Sequence, residues 1–254
     1  MLSSAQIKEI RSLHLRKNRE ASGLFLVEGV KMVDELLKSA FAIQAIYGTE
    51  KWLKNVKLSK SKNSTAIHSI SPSELSRISS LKTPNEVLAI AKKPERVLNA
   101  RDFDGLTLML DHIADPGNLG TIIRIADWFG IKTIVCSPDT VELYNPKVVQ
   151  ATMGSLFRVN VFYSELTKVI QNFAQSIPKY GAVLDGENIY TTKLDEKAIV
   201  VIGNESHGIS KAVRSLIANP LMIPAMASGA ESLNASVAAA VICSEFRRAA
   251  LSKI

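Results

Sequence analysis

The sequence predicts an α/β protein in two parts: a small α/β domain, then a larger one built on a parallel sheet. Three observations predict it. From Leu106 onward, short apolar runs alternate with amphipathic helical segments, the pattern of a parallel sheet covered on both faces. Lys92 to Arg101 has the composition of a linker, which places a boundary near 96–104. Charge changes across that boundary: residues 1–100 carry 17 Lys and Arg against 9 Asp and Glu, and residues 101–254 carry 14 against 15. At 254 residues and 46% hydrophobic, the chain can bury one large core or two modest ones.

In the first part, residues 5–21 set Lys8, Arg11, His14, Arg16, Lys17 and Arg19 around apolar Ile7, Ile10, Leu13 and Leu15. That spacing predicts one amphipathic helix with a basic tip able to touch phosphates. Gly23 to Gly29 reads as a short buried strand between glycines, and Val30 to Lys38 as a helix with Val33, Leu36 and Leu37 inward. Ala42 to Tyr47 reads as a strand, and Lys54 to Ser64, rich in Lys, Ser and Asn, as an exposed loop. Ser71-Pro-Ser-Glu74 starts a helix, with Pro72 at its first position and Glu74 where a capping box needs it. Val87 to Ala91 is the last strand of this part.

The second part reads as strands at Leu106–Leu110, Lys132–Cys136, Val159–Phe162, Ala182–Leu184, Ile199–Ile202 and Leu221–Ile223. Helices are expected at Asn118–Phe129, Pro146–Leu156, after Ser164, and at Asn234–Ala250. There is no internal repeat and no low-complexity tract.

Kinase-like, NTPase and ordinary dinucleotide-binding readings are weakened by what is missing. No phosphate loop, no Gly-x-Gly-x-x-Gly fingerprint and no Gly-x-Ser-x-Gly elbow occurs. The four histidines, His14, His68, His112 and His207, lack metal-ligand spacing, and Cys136 and Cys243 stand far apart in apolar contexts, as buried structural thiols do. No metal is expected. No apolar run approaches the roughly 18 residues of a membrane helix, and no secretory signal opens the chain, so a cytoplasmic location is expected. The basic first part joined to a near-neutral second part fits a polyanion-binding module attached to a domain with another kind of ligand.

Three loops of the second part follow strands, where open α/β sheets bind ligands. The first runs from Asp115 to Gly130; Gly117 and Gly120 leave a helix N-terminus open to close approach, and Arg124 lies one turn past Gly120. Asn118 could cap this helix or face a ligand. The second, Gly203-Asn-Glu-Ser-His-Gly208, offers backbone amides and one carboxylate at a strand end. The third, Ile223 to Ser236, runs into the last helix, which Ser232, Asn234 and Ser236 could cap.

In this order and at these distances the three loops resemble the SpoU/TrmH branch of the SPOUT methyltransferases, over about residues 106–250. The residues that carry the resemblance are Asn118, Gly120, Arg124, Ala126 and Phe129-Gly130, then Gly203-Asn204-Glu205 and Gly208, then Ile223-Pro224 and Ser232-Leu233-Asn234-x-Ser236. The segment from Arg11 to Lys38 similarly looks like the L30e-like RNA-binding domain that precedes the catalytic domain in many members. Two departures stand out: Ala225 and Ser228 lengthen the third loop by one residue against the usual Ile-Pro-Met-x-Gly spacing, and Ala235 occupies a position that is commonly valine.

The resemblance implies a fold, an activity and a site. Residues 1–98 would form the L30e-like substrate-binding domain, and 105–254 a SPOUT catalytic domain tied in a deep trefoil knot and paired as a homodimer. The reaction implied is transfer of a methyl group from S-adenosylmethionine to a ribose 2'-hydroxyl of structured RNA, ribosomal in preference to transfer RNA. Gly203, Asn204, Ile223, Pro224 and Leu233 would bind the donor, and the ribose would be presented across the dimer interface. Arg124 would stabilise the developing alkoxide, since a guanidinium with a pKa above 12 is an awkward base. Asn118, Glu205, Ser232 and Asn234 would orient it and the substrate, while Arg11, Arg16, Lys17 and Arg19 would contact RNA. The chief alternative is a non-catalytic RNA-binding protein that retains the fold; a nucleotide-dependent oxidoreductase and a base methyltransferase are further ones.

Overall fold

The computed structural model describes residues 1–56, 65–227, 229 and 231–251. Backbone contacts divide it into two compact units, Met1–Glu95 with Glu142–Phe157, and Arg96–Val141 with Arg158–Ile254. The first unit begins with α1 (Ser4–Ser12), α2 (Arg16–Ser22), β1 (Leu24–Glu28), α3 (Val30–Lys38), β2 (Ile43–Gly48), α4 (Glu50–Asn55), β3 (Ala66–Ser69), α5 (Pro72–Ile78) and β4 (Val87–Lys92). Its sheet runs β1-β4-β2-β3, antiparallel except between β2 and β3. Leu26, Tyr47, Leu75, Ile78 and Leu88 form part of its core with Ile7 and Ile10 of α1. The capping box at Ser71 is formed as expected, with Glu74 closing it.

The single helix expected over 5–21 is corrected to two. Leu15 leaves the helical region (φ −94°, ψ 130°) to cap α2. The His14 ring Nε2 lies 3.2 Å from the carbonyl of Ile78, and Leu13 is buried, so tertiary contacts override the helical period at this point. Two elements were not anticipated: α4, capped by Thr49, and β3, whose residues are mostly exposed. Of the loop expected over Lys54–Ser64, residues 57–64 lie outside the described residues.

The second unit is carried by β5 (Thr107–Leu110), α6 (Pro116–Trp128), β6 (Thr133–Cys136), then, beyond a segment belonging to the first unit that contains α7 (Pro146–Ala151), by β7 (Asn160–Tyr163), α8 (Leu166–Phe173), β8 (Lys179–Asn188), β9 (Ile199–Ile202), α9 (Lys211–Arg214), β10 (Asn219–Met222) and α10 (Ala235–Leu251). Its six strands lie in the order β10-β8-β9-β5-β6-β7, and all five pairings are parallel. Every residue of β5, β6 and β9 is buried, as continuous apolar runs in a sheet covered on both faces should be. On α6, Leu119, Ile122, Ile123 and Ala126 are fully buried, each large one contributing about 1.5–3 kcal/mol by burial. Both cysteines are buried, and burial raises their thiol pKa values, Cys243 to about 12. Neither is a thiolate at neutral pH. β8 is longer than the expected Ala182–Leu184 run, because its outer half pairs with β10 past a register shift at Pro220/Leu221.

Glu142–Phe157 returns to the first unit. The helix expected over Pro146–Leu156 ends at Ala151, and a 3-10 turn, Ser155–Phe157, follows Met153 and Gly154, both at positive φ. A Cβ on Gly154 would lie 2.7 Å from Glu35 Cγ, so the turn needs glycine for space as well as for φ. Within this unit the ring of Tyr144 lies 4.5 Å from that of Phe25, and Phe157 meets Phe41 edge-on at 5.1 Å. Glu142 takes hydrogen bonds from Arg19 Nε (3.1 Å to Oε2), Arg19 Nη2 and Lys93 Nζ (2.9 Å). Burial works to raise the Glu142 carboxyl pKa; those donors more than offset it and leave it lowered.

Candidate active site

A cavity of about 560 Å³ lies in the second unit at the carboxyl ends of β9 and β10 and against the middle of β8, with α10 as one wall. Gly203 follows β9 directly, and a Cβ there would stand 2.3 Å from the backbone of Gly208; only glycine lets the two strands of this loop close on each other. They do so through paired backbone bonds between Asn204 and Gly208. Asn204 Oδ1 accepts from the N–H groups of Ser206 and His207, and its Nδ2 donates to the carbonyl of His112 at 2.9 Å. The loop is therefore fixed at both ends. The third loop covers the cavity with Ile223, Pro224, Ala225, Met226 and Ala227, then Glu231, Ser232 and Leu233. Gly203, Asn204, Ile223, Pro224 and Leu233, the residues expected around the donor, all line it.

At the rim three motif residues meet. Asp115 takes the cap of α6 by accepting from the N–H of Asn118 at 2.8 Å, which frees the Asn118 side chain three residues into the helix. Asn118 Nδ2 donates to Glu205 Oε1, Asn234 Nδ2 donates to the same oxygen at 3.1 Å, and Asn234 Nδ2 also reaches Asn118 Oδ1 at 3.0 Å. The amide of Ala235 adds a longer contact to Glu205 Oε1, 3.5 Å. Asn234 Oδ1 in turn accepts from Ser236 N and Oγ, capping α10. Glu205 Oε2 has no partner among the described residues. The arrangement holds a carboxylate by one oxygen and presents the other.

The remaining candidates are placed differently. Ser232 lines the cavity but is exposed and outside the Asn118–Glu205–Asn234 cluster. Arg124 neither lines the cavity nor joins the cluster; it stands exposed on α6 in one stripe with Thr121 and Trp128, itself 85% exposed. In the first unit Arg11, Arg16 and Lys17 are exposed, Arg16 paired with Glu20. The expectation that Arg19 contacts RNA is corrected: its side chain is 2% exposed, and Nη1 donates to the carbonyl of Leu13 at 2.8 Å while Nε and Nη2 bind Glu142. Sequence reading missed Asp185 and Glu231, which bring two further carboxylates to the cavity wall. The signal for Asp185 was the long β8, whose polar outer half concealed it.

Such a sheet, with its cavity beyond the strand ends and a fixed carboxylate at the rim, defines a ligand-binding α/β domain. Residues 105–244 match the SpoU rRNA methylase family, to which this chain belongs, and residues 4–89 match an MRM3-like substrate binding domain. The chain is 30% identical over 247 residues to the Bacillus subtilis 23S rRNA (guanosine(2553)-2'-O)-methyltransferase RlmP, with 95% of this chain and 96% of that protein covered. Among solved structures it is similar to a TrmH-family protein from Porphyromonas gingivalis, with TM-score 0.89, 39% identity and coverage of 98% and 99%. It is also similar to the SpoU methyltransferase AviRb from Streptomyces viridochromogenes, crystallised with AdoMet, with TM-score 0.82, 26% identity and coverage of 98% and 99%.

Proposed function

We propose that this protein transfers a methyl group from S-adenosylmethionine to a ribose 2'-hydroxyl in RNA, with ribosomal RNA as the substrate class. The observation that carries the reading is the meeting of Asn118, Glu205 and Asn234, from three separated motifs, at the rim of a cavity lined by every residue expected to hold the donor. The cavity fits that donor. Its volume is within the range of small-molecule sites, Gly203 permits close backbone approach, and Asp185, Glu205 and Glu231 offer carboxylates to a cationic ligand.

When bound, S-adenosylmethionine supplies a methyl group already activated on a sulfonium, so the protein's task is at the hydroxyl. Glu205, fixed through Oε1 by Asn118 and Asn234, presents Oε2 to accept a hydrogen bond from the 2'-hydroxyl, hold it in line and take its proton as the methyl passes from sulfur to oxygen. Ser232 adds a hydroxyl on the cavity wall. Arg124, on the exposed stripe of α6, serves as the electrostatic partner of the developing alkoxide where the ribose enters.

That position of Arg124 agrees with a homodimer whose interface includes Thr121, Arg124 and Trp128, and with presentation of the ribose across it. The large exposed Trp128 supports this reading; a monomeric mass by light scattering would remove it. The knotted path of the SPOUT fold belongs to the same proposal. Residues 1–98 act as the L30e-like substrate-binding domain and 105–254 as the catalytic domain. Arg11, Arg16 and Lys17 serve as RNA contacts, and the cytoplasm is the place of action.

The test incubates the purified protein with methyl-labelled S-adenosylmethionine and unmodified ribosomal RNA transcripts, followed by digestion to nucleosides. Label on a 2'-O-methylribose is expected. Label on a base, or none despite donor binding, would reject the reading in favour of a base methyltransferase or a non-catalytic RNA-binding protein.

A further inference from the structure

A second cavity, of about 430 Å³, opens in the second unit at the carboxyl ends of β5 and β6. It is lined by Asp111 and His112 at the end of β5, Asp139 beyond β6, Glu165 at the entry to α8, and Asn204 and His207 from the Gly203–Gly208 loop. The same loop walls the donor cavity, so the two spaces stand on either side of it. β5 is the point from which the sheet runs both ways, to β6 on one side and β9 on the other. Open α/β sheets bind ligands in the crevice beyond such a point, yet the donor cavity lies elsewhere, at β8, β9 and β10. The crevice is built and has no part in the mechanism above.

Its chemistry selects an occupant. Asp111 lines the cavity and is only 6% exposed; its Oδ2 accepts from Ser210 N at 2.7 Å, which fixes the carboxylate at the end of β5. His112 has φ 62°, donates its N–H to Ser137 Oγ at 2.8 Å and gives its carbonyl to Asn204, joining the ends of β5 and β6 to the shared loop. Its ring remains more than half exposed, with Nδ1 3.7 Å from Asp139 Oδ2. Three carboxylates and no Lys or Arg line the space, so it repels phosphate and favours a group rich in N–H donors. Among the described residues no group of carboxylates and histidines has the geometry to hold a metal ion.

We infer that this cavity receives a guanine base of the RNA substrate, the base of the nucleotide whose ribose is methylated. The inference rests on the methyltransferase reading. Guanine presents adjacent N1–H and N2–H donors that match the two oxygens of one carboxylate, and a flat face for the histidine rings. Uracil presents a single N–H between two carbonyls, which carboxylates repel. The shared loop carries Glu205 towards the donor side, so a base on one side and its ribose at Glu205 belong to one nucleotide.

The first test titrates the full chain, saturated with S-adenosylhomocysteine, with GMP and with UMP while following histidine ring signals by NMR. GMP is expected to move the His112 and His207 signals and to bind at least about fivefold more tightly than UMP, as one bidentate contact should provide. The double variant Asp139→Asn, Glu165→Gln is expected to lose that preference with its thermal unfolding midpoint unchanged. Equal binding of GMP and UMP, or a preference that survives the double variant, overturns the inference. The second test maps the label on ribosomal RNA transcripts. Guanosine 2'-O-methylation supports the inference; a methylated ribose on any other nucleotide overturns it and leaves ribose methylation standing. A guanine preference without any ribose label rejects the methyltransferase reading and overturns the inference with it, since no methylated nucleotide is then there to supply the base.

Discussion

One oxygen of Glu205 carries the site, and its neighbours show what each substitution should do. Asn118→Ala removes a donor to Oε1 without touching the donor cavity, so turnover is expected to fall about 10-fold to 100-fold while S-adenosylhomocysteine affinity is unchanged. Arg124→Ala should lose about 100-fold or more in turnover, again with donor binding intact. Single-turnover rates beside calorimetric binding separate the two readouts, and near-normal turnover of either variant would remove its assigned role. Glu74 makes a residue-scale prediction of another kind. The Ser71 amide, the Leu2 amide and the Ser71 hydroxyl lower its pKa to about 2. A carboxyl lowered in the folded state contributes stability that is full above its unfolded pKa and lost as pH falls. Wild-type protein should therefore exceed Glu74→Gln in melting temperature above about pH 4.5, and the difference should vanish near pH 2. A difference independent of pH would contradict this. Asn118, Glu205 and Asn234 were legible in the sequence because motif spacing survives without coordinates. Arg19 was misread because it looks identical to Arg16 and Lys17 until Glu142, 123 positions away, is placed beside it.

At the scale of elements, strands with continuous apolar runs were legible, and elements decided by tertiary contact were not. β5, β6 and β9 announce themselves because both faces are buried. The break between α1 and α2 depends on a contact between His14 and Ile78, and the outer half of β8 is polar and held by β10. The segment Glu142–Phe157 lies inside the stretch matching the methylase family but packs within the first unit, a fact no local pattern encodes. Its anchor is testable. Glu142→Ala would leave the Arg19 guanidinium buried and uncompensated, at a cost of about 3–5 kcal/mol. The urea midpoint should drop accordingly, and the double variant Arg19→Met, Glu142→Met should recover most of the loss, since an apolar pair of similar volume replaces a buried ion pair well. A small shift for Glu142→Ala would mean that water compensates Arg19.

The charge distribution of the whole chain makes a prediction that no single site makes. The basic excess falls entirely in residues 1–100, whereas the unit that holds the candidate active site is nearly neutral. If the first part grips RNA through phosphates and the second through ribose and base, affinity and turnover should respond to different parts of the molecule. Binding of an unmodified ribosomal RNA transcript should weaken linearly with log salt. Changing Arg11, Arg16 and Lys17 together to Gln should reduce the slope by about 2–3, close to one unit for each phosphate left without its cation. Arg16 counts towards this although it pairs with Glu20, because an exposed i,i+4 pair is worth only about 0.3–0.5 kcal/mol and yields to a phosphate. Single-turnover rate at saturating RNA should stay unchanged in the same variant, since none of the three residues touches the donor cavity or the Asn118–Glu205–Asn234 cluster. An unchanged slope would leave these side chains facing solvent. A slope that falls together with the saturated rate would mean that the same residues also order the RNA at the reacting ribose.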